Sequence, residues 1–353
     1  MKKLTGYMAG INLGGWISQY KPNLARNPKN HFETFVTEKD IEQIASWGMD
    51  HVRLPFDYSL LEWDEEKGAY NDLALNYMDK CLAWCKKYGL NLIFDMHQAP
   101  GYIFDDLEAN NLFDDPKQQD RYVDVWLTIV KRFRNEGQNI MFELLNEIVE
   151  KTPDRWNALA LRVLKAIREI DDEHRIVIGG LDYNSPWRLK DLPDFQDDKI
   201  VYNFHMYSPM PLTHFKAYWV ADMKDYDGPA FYYPSPMKPY REFSDNLNST
   251  QPRFDNEILH RYYAMDARYI EDFLVAVDKF LEEHDVPIYC GEYGVIELTD
   301  IESRTNWTYD MAQYCLKRGI GRAAWSYRDM DFTFVKKDNS PIDPELIKAA
   351  ALH

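Results

Sequence analysis

Two acidic residues stand where an apolar chain should avoid them. In "FELLNEIVE" an apolar run ends on Asn146 and Glu147, and in "IYCGEYG" another run ends on Glu292. Burying an unpaired charge is costly. A carboxylate at the end of a core segment is therefore either solvated or kept for chemistry. Two carboxylates that meet can divide acid–base work, one holding a proton while the other stays ionised, when their surroundings differ. Glu147 and Glu292 lie far apart in the chain, so only the fold can bring them together.

The elements that would position them form an alternation. Short β-rich apolar runs occur at Met8–Leu13, His51–Leu54, Asn91–His97, Ile140–Asn146, Arg175–Gly179, Ile200–His205, Pro287–Glu292 and Arg322–Ser326. Between them lie helical patterns such as Asp72–Tyr88, Pro116–Arg134, Pro153–Ile170, Tyr269–His284 and Ser303–Lys317. Near-continuous apolar strands joined by helices predict a parallel sheet covered on both faces. Eight such strands close a barrel, so the fold class is α/β, a (β/α)8 TIM barrel, with a doubly wound sheet as the alternative. The glycine-rich "GINLGGW" lacks the dinucleotide-binding spacing and a phosphate-cradling lysine.

In a barrel the C-terminal strand ends converge on one mouth. The second strand supplies Arg53, the third His97 followed by Gln98, and the fourth Asn146 and Glu147. The sixth supplies His205 and Tyr207, the seventh Glu292, and the eighth Trp325. Each is expected at a strand tip. Strand alternation aims Glu292 inward if Cys290 lines the barrel. The rhythm breaks at about 206–263, where "YSPMPLTHFKAYW" and "YDGPAFYYPSPMKPY" are dense in aromatics and prolines. A loop this long is usually functional, and leaving the sixth strand it would lie over the mouth. No linker marks a second domain, so residues 1–353 read as one catalytic barrel domain with an inserted subdomain.

Bulk composition narrows the partners. Apolar residues make up 45% and charged residues 28% of the 353, which suits a globular protein with a large core. The formal net charge of −17 repels phosphate backbones and anionic lipid headgroups, so neither nucleic acid nor a membrane is an expected partner. The 10 Trp and 24 Tyr exceed what a core needs and suit a partly exposed binding surface. The N-terminal "MKKLTGYMAGINLGGW" has no apolar run of signal length, so the chain reads as cytoplasmic as given, or secreted with its signal removed. Four cysteines are too few for a disulfide framework and are expected as free thiols, and no spacing indicates a metal site. No cofactor is called for, and a monomer is expected.

The ordered set Arg53, His97, Asn146, Glu147, "HMY" at 205–207, Glu292 and Trp325 resembles glycoside hydrolase family 5 over nearly the whole chain. "GINLGGWISQY", "DHVRLPFDY" and "IVYNFH" are similar to its clostridial endoglucanase C group. The resemblance implies a retaining endo-β-1,4-glucanase acting on cellulose-like or mixed-linkage β-glucan. Glu147 would be the general acid/base and Glu292 the nucleophile. Where some relatives carry a second histidine after the third strand, this chain has Gln98. The chemistry fits: a glycosidic bond needs a proton on the leaving oxygen and a nucleophile at the sugar carbon. Arg53 and His205 are expected to keep Glu292 ionised, Tyr207 to donate to it, Asn146 to bind the sugar 2-hydroxyl, and Trp325 to floor the ring. Trp219, beside Tyr218 in the insertion, is a sugar platform or packing for its own loop. "NLGGW" and "HQAPG" also resemble exo-β-1,3-glucanases of the family, and a β-mannanase shares the chemistry. The non-enzyme alternative is an inactive carbohydrate-binding barrel.

Overall fold

The computed structural model of the chain describes all residues except 1, 65, 107, 109 and 248–255. Eight strands carry the fold: β1 (Gly10–Asn12), β2 (His51–Asp57), β3 (Asn91–Gln98), β4 (Ile140–Glu143), β5 (Arg175–Gly179), β6 (Ile200–Met206), β7 (Ile288–Tyr293) and β8 (Gly321–Ala324). Each pairs in parallel with its neighbours in sequence, and β1 closes the ring between β2 and β8. The doubly wound alternative is excluded. Closure leaves no sheet edge unpaired.

Helices cover the outside: α1 (Glu38–Ser46), α2 (Asp72–Tyr88), α3 (Pro116–Phe133), α4 (Pro153–Arg168), α5 (Ala267–Phe273), α6 (Val275–Glu283), α7 (Ile301–Arg318) and α8 (Pro344–Ala350). The sequence sets their starts. Asn71 accepts from the Leu73 amide at 2.9 Å and Asp115 from the Lys117 amide at 2.9 Å, ahead of Pro116 at the first turn of α3. The single helix expected over Tyr269–His284 is broken into α5 and α6 at Leu274. After β5 no long helix forms; a short turn (Leu181–Asn184) and a 3-10 segment (Pro186–Asp191) make the crossover. After β6 come short helices at Met210–Thr213, Lys238–Asn246 and Asn256–Arg261, and a two-residue pairing of Ser235–Pro236 with Ala264–Met265. Part of the expected insertion, 248–255, lies outside the described residues.

The barrel interior is layered. Its floor is apolar: Ile93, Met141, Val177, Val201, Tyr289 and Ala323 pack together with Leu4 and Tyr7. Two residues further along three of these strands, on the same face, stand Asp95, Glu143 and Asn203. Asn12 of β1 and Arg53 of β2 join them, and all five are fully buried. A polar layer thus rests on a dry floor, directly beneath the mouth. The four cysteines are free and buried. Among the described residues, no helix is long and apolar enough to cross a membrane.

Candidate active site

Arg53 is the hub of the polar layer. Its Nε and Nη2 grip Glu143 bidentately at 2.7 and 2.8 Å, Nη1 donates to Asn12 Oδ1 (2.9 Å) and Glu292 Oε1 (2.8 Å), and Nη2 also donates to Asn146 Oδ1 (2.9 Å). Asp95 Oδ2 lies 3.0 Å from Nη2. The expectation that Arg53 sits at a strand tip is corrected. β2 runs on to Asp57, so Arg53 lies inside the barrel and reaches the mouth from below. Burial works against its charge, but Asp95 and Glu143 hold it firmly protonated. Burial in turn lifts both Asp95 and Glu143 to about 7, with Arg53 pulling the other way.

Glu292 reaches the mouth by a different route from the one expected. Tyr289, not Cys290, belongs to the interior floor, and Cys290 packs in the outer layer between barrel and helices. Strict alternation would then turn Glu292 outward. The register along β6 shifts between Cys290 (opposite Phe204) and Glu292 (opposite His205), so Gly291 is an extra residue. This bulge resets the alternation and turns Glu292 in. A side chain would crowd there: a Cβ on residue 291 would lie 2.8 Å from Asn203 Nδ2 and 3.1 Å from His205 Nε2. Tyr207 Oη donates to Glu292 Oε2 at 2.9 Å, so both carboxylate oxygens are held by donors.

Glu147 leaves the barrel after β4 ends at Glu143. Its φ of +42° is unusual for a side chain larger than glycine, a strain that surrounding contacts must hold. This turn settles how neighbours Asn146 and Glu147 both face the mouth. Asn146 is buried against Arg53, which donates to its Oδ1, and its Nδ2 has no partner. Glu147 Oε1 lies 3.0 Å from His205 Nδ1, whereas Glu292 Oε2 is 3.7 Å away. His205 therefore serves Glu147 first, which corrects the pairing expected with Glu292. Nor does it bring positive charge to Glu292, because burial and the charge of Arg53 push its pKa far down. Asn184 Nδ2 faces Nε2 at 3.3 Å, so the proton is on Nδ1 and points at Glu147.

Trp325 stacks on His97, with ring centroids 5.5 Å apart and planes within 4°. Gly14 lies against it; a Cβ there would fall 2.7 Å from the indole. His97 Nδ1 donates to Asp95 Oδ2 (2.8 Å), and burial lowers its pKa to about 4, so it is neutral. Gln98 is half-buried at the end of β3, paired with Asp57. Trp219 reaches the site only indirectly. Its half-exposed ring stands edge-on to His214, which packs edge-on against Tyr207, so the start of the insertion is tied to the site through one intervening ring.

The central geometry is the meeting of the two acids: one oxygen of Glu147, one of Glu292 and a nitrogen of His205 lie within 4.8 Å of one another. These donor types also suit a cation, but the guanidinium at Glu292 already supplies a positive partner and the neutral imidazole N–H a hydrogen bond to Glu147. Burial raises both carboxylates. For Glu292 the charge of Arg53 leads the opposing effects; for Glu147, which no guanidinium hydrogen bond reaches, the charge of Glu292 adds to burial and lifts it well above the usual range. Glu147 is the weaker acid, as suits a proton donor facing a nucleophile.

Sequence reasoning missed Asn12, Asp95, Glu143, Asn203 and Asn184. The first four carried a signal, a polar residue in mid-strand between apolar neighbours, as in "LIFDMH" and "IMFELL". Asn184, in a turn after β5, carried none.

A family model described as Cellulase (glycosyl hydrolase family 5) matches residues 17–331. The chain is 45% identical over 348 residues to Endoglucanase C of Acetivibrio thermocellus, covering 99% of each. It is 33% identical to Cellodextrinase A of Ruminococcus flavefaciens, over 91% of this chain and 86% of that protein. Endoglucanase Cel5A from the hyperthermophilic Thermotoga maritima shares the fold, with a TM-score of 0.73 at 22% identity, covering 98% of this chain and 97% of that one.

Proposed function

This chain belongs to glycosyl hydrolase family 5, the cellulases, and from that premise we infer that it is a retaining endo-β-1,4-glucanase acting on cellulose-like or mixed-linkage β-glucan. The observation that carries the mechanism is the approach of Glu147 and Glu292, with oxygens within 4.8 Å. Carboxyl groups about 5–5.5 Å apart let one attack the sugar directly, whereas inverting enzymes need about 6.5–9.5 Å to admit a water.

In our reading Glu292 is the nucleophile. Its oxygens are fixed by Arg53 and Tyr207, and it attacks the anomeric carbon. The bond to the leaving sugar breaks, and the leaving oxygen takes the proton of Glu147. The Glu147 carboxylate then removes a proton from water, which attacks the same carbon and frees Glu292. Asn146, whose buried Nδ2 lacks a partner, is assigned to the sugar 2-hydroxyl in this reading, and the stacked Trp325 and His97 to a flat wall on the non-leaving side. We further propose that residues 1–353 act as one catalytic barrel, with 206–263 as its insertion.

Glu147→Gln and Glu292→Gln are each expected to cut hydrolysis of soluble β-glucan by orders of magnitude while the circular dichroism spectrum is kept. Wild-type product analysis should show mixed oligosaccharides, with the β-anomer formed first by NMR. An unchanged rate in either variant, or initial α-anomer, refutes the assignment.

A further inference from the structure

Asp182, Tyr183 and Asn184 have φ values of 52°, 60° and 56°, three consecutive non-glycine residues in the left-handed region. Asp and Asn tolerate that conformation; Tyr rarely does. Such strain persists only where surrounding contacts enforce it, and it clusters at functional sites. Here the contacts are specific. Arg188 Nε holds Asp182 at 2.6 Å, Asn184 Nδ2 reaches His205 Nε2 at 3.3 Å, and the Tyr183 amide donates to Ile148 O, the residue after Glu147, at 3.3 Å. The turn is thus tied both to the histidine that faces the acid and to the residue that follows the acid in the chain.

What the strain achieves is the placement of one ring. Tyr183 is 46% exposed, although its hydroxyl is close enough to Glu147 for that carboxylate, after burial, to raise its pKa. The turn follows β5, which neighbours the strand carrying Glu147, while Trp325 follows β8. Glu147 delivers its proton to the leaving oxygen, so the sugar that departs lies on its side. A half-exposed aromatic ring there has an apolar face free for a sugar ring and a polar edge for its hydroxyls.

We propose that Tyr183 is a leaving-side sugar-binding residue, and that the left-handed turn 182–184 exists to present its ring to the glucosyl unit beyond the scissile bond. The proposal rests on the glucanase reading and adds to it a specificity-determining contact on the far side of the cut.

The test compares cellopentaose, which places sugars on both sides of the cut, with 2,4-dinitrophenyl β-cellobioside, which has no sugar on the leaving side. Tyr183→Asn keeps a residue that tolerates the turn and removes the ring; Tyr183→Phe keeps the ring. In Tyr183→Asn, the ratio of kcat/KM for cellopentaose over the aryl substrate should fall about five- to tenfold, the scale of one lost aromatic contact. Tyr183→Phe should restore the ratio to within about twofold, and the basic limb of the cellopentaose pH profile should stay in place. An unchanged ratio in Tyr183→Asn overturns the proposal. So does a shifted basic limb, which would make Tyr183 a positioning residue for Glu147. A wild-type protein inactive on both substrates would overturn the glucanase reading and this inference with it.

Discussion

Replacing Arg53 with lysine keeps the charge and removes the fork, so it separates the two things the guanidinium does. Arg53 makes five hydrogen bonds, two to Glu143 and one each to Asn12, Glu292 and Asn146. An ammonium has three donors on one atom, so at least two bonds are lost. At about 1.5–3 kcal/mol for each buried bond to a charged group, the loss is about 3–6 kcal/mol. A typical domain has about 5–15 kcal/mol in total, so Arg53→Lys should fold with a Tm lowered on the order of 10 °C. The ammonium will settle between Asp95 and Glu143, the two carboxylates of its own layer, and Glu292 Oε1 will lose its donor. Removing one preorganised donor typically costs about 10²–10³ in rate, and kcat/KM on soluble β-glucan should fall by that much. The sign of the pH effect follows from the same geometry. Burial raises Glu292 and Arg53 opposes it; the same charge held farther away leaves Glu292 protonated to higher pH. The acid limb of kcat/KM should therefore move upward. A folded Arg53→Lys protein with wild-type kcat/KM and an unmoved acid limb would refute the reasoning.

Gly291→Ala should lower stability by about 1–3 kcal/mol through overpacking, because the new Cβ would lie 2.8 Å from Asn203 Nδ2; chemical denaturation measures this, and kcat should fall as Glu292 swings, with wild-type values in both refuting the bulge account. Stability should also decline between about pH 6.5 and 8. Asp57, lifted by burial to about 8, and Asp95 and Glu143, at about 7, bind more protons folded than unfolded, so their contribution is present at low pH and lost as pH rises through those values. Buried His97 and His214, lowered to about 4, act in the opposite sense only below about 6.5. A Tm that is level or rising from pH 6.5 to 8.5 would contradict the burial of these carboxylates.

The barrel was legible because each strand is an apolar run bounded by turn residues, and β5 lies where its run predicts, at Arg175–Gly179. Glu147, Glu292 and their order along the chain were legible for the same reason, since a charge at the end of such a run stands out. The route by which Glu292 turns inward was not. Alternation predicts side-chain direction only while the ladder is regular, and an inserted residue such as Gly291 leaves no periodic trace. The partner of His205 was equally out of reach. Whether an imidazole at the mouth lies nearer Glu147 or Glu292 is decided by the left-handed φ of Glu147, a tertiary outcome with no local signature. Asp95 and Glu143 were within reach, because an acid in mid-strand can persist only if something inside the barrel is positive, and Arg53 is the interior cation that meets both.

In the proposed mechanism, that interior cation accounts for the division of labour between two chemically identical side chains. The floor of Ile93, Met141, Val177 and Val201 keeps water from beneath the polar layer, so the field of Arg53 is weakly screened where it reaches upward. Besides Asp95 and Glu143 in its own layer, the one carboxylate it hydrogen-bonds toward the mouth is Glu292. Glu147 receives a neutral imidazole N–H instead, a donor with no net charge, and it also faces the anion across the gap. A proton shared between the two acids must therefore reside on Glu147. In the proposed mechanism, which glutamate attacks and which donates then follows from where the guanidinium points: Arg53 hydrogen-bonds Glu292, whereas Glu147, two strands away, feels its charge only from a distance.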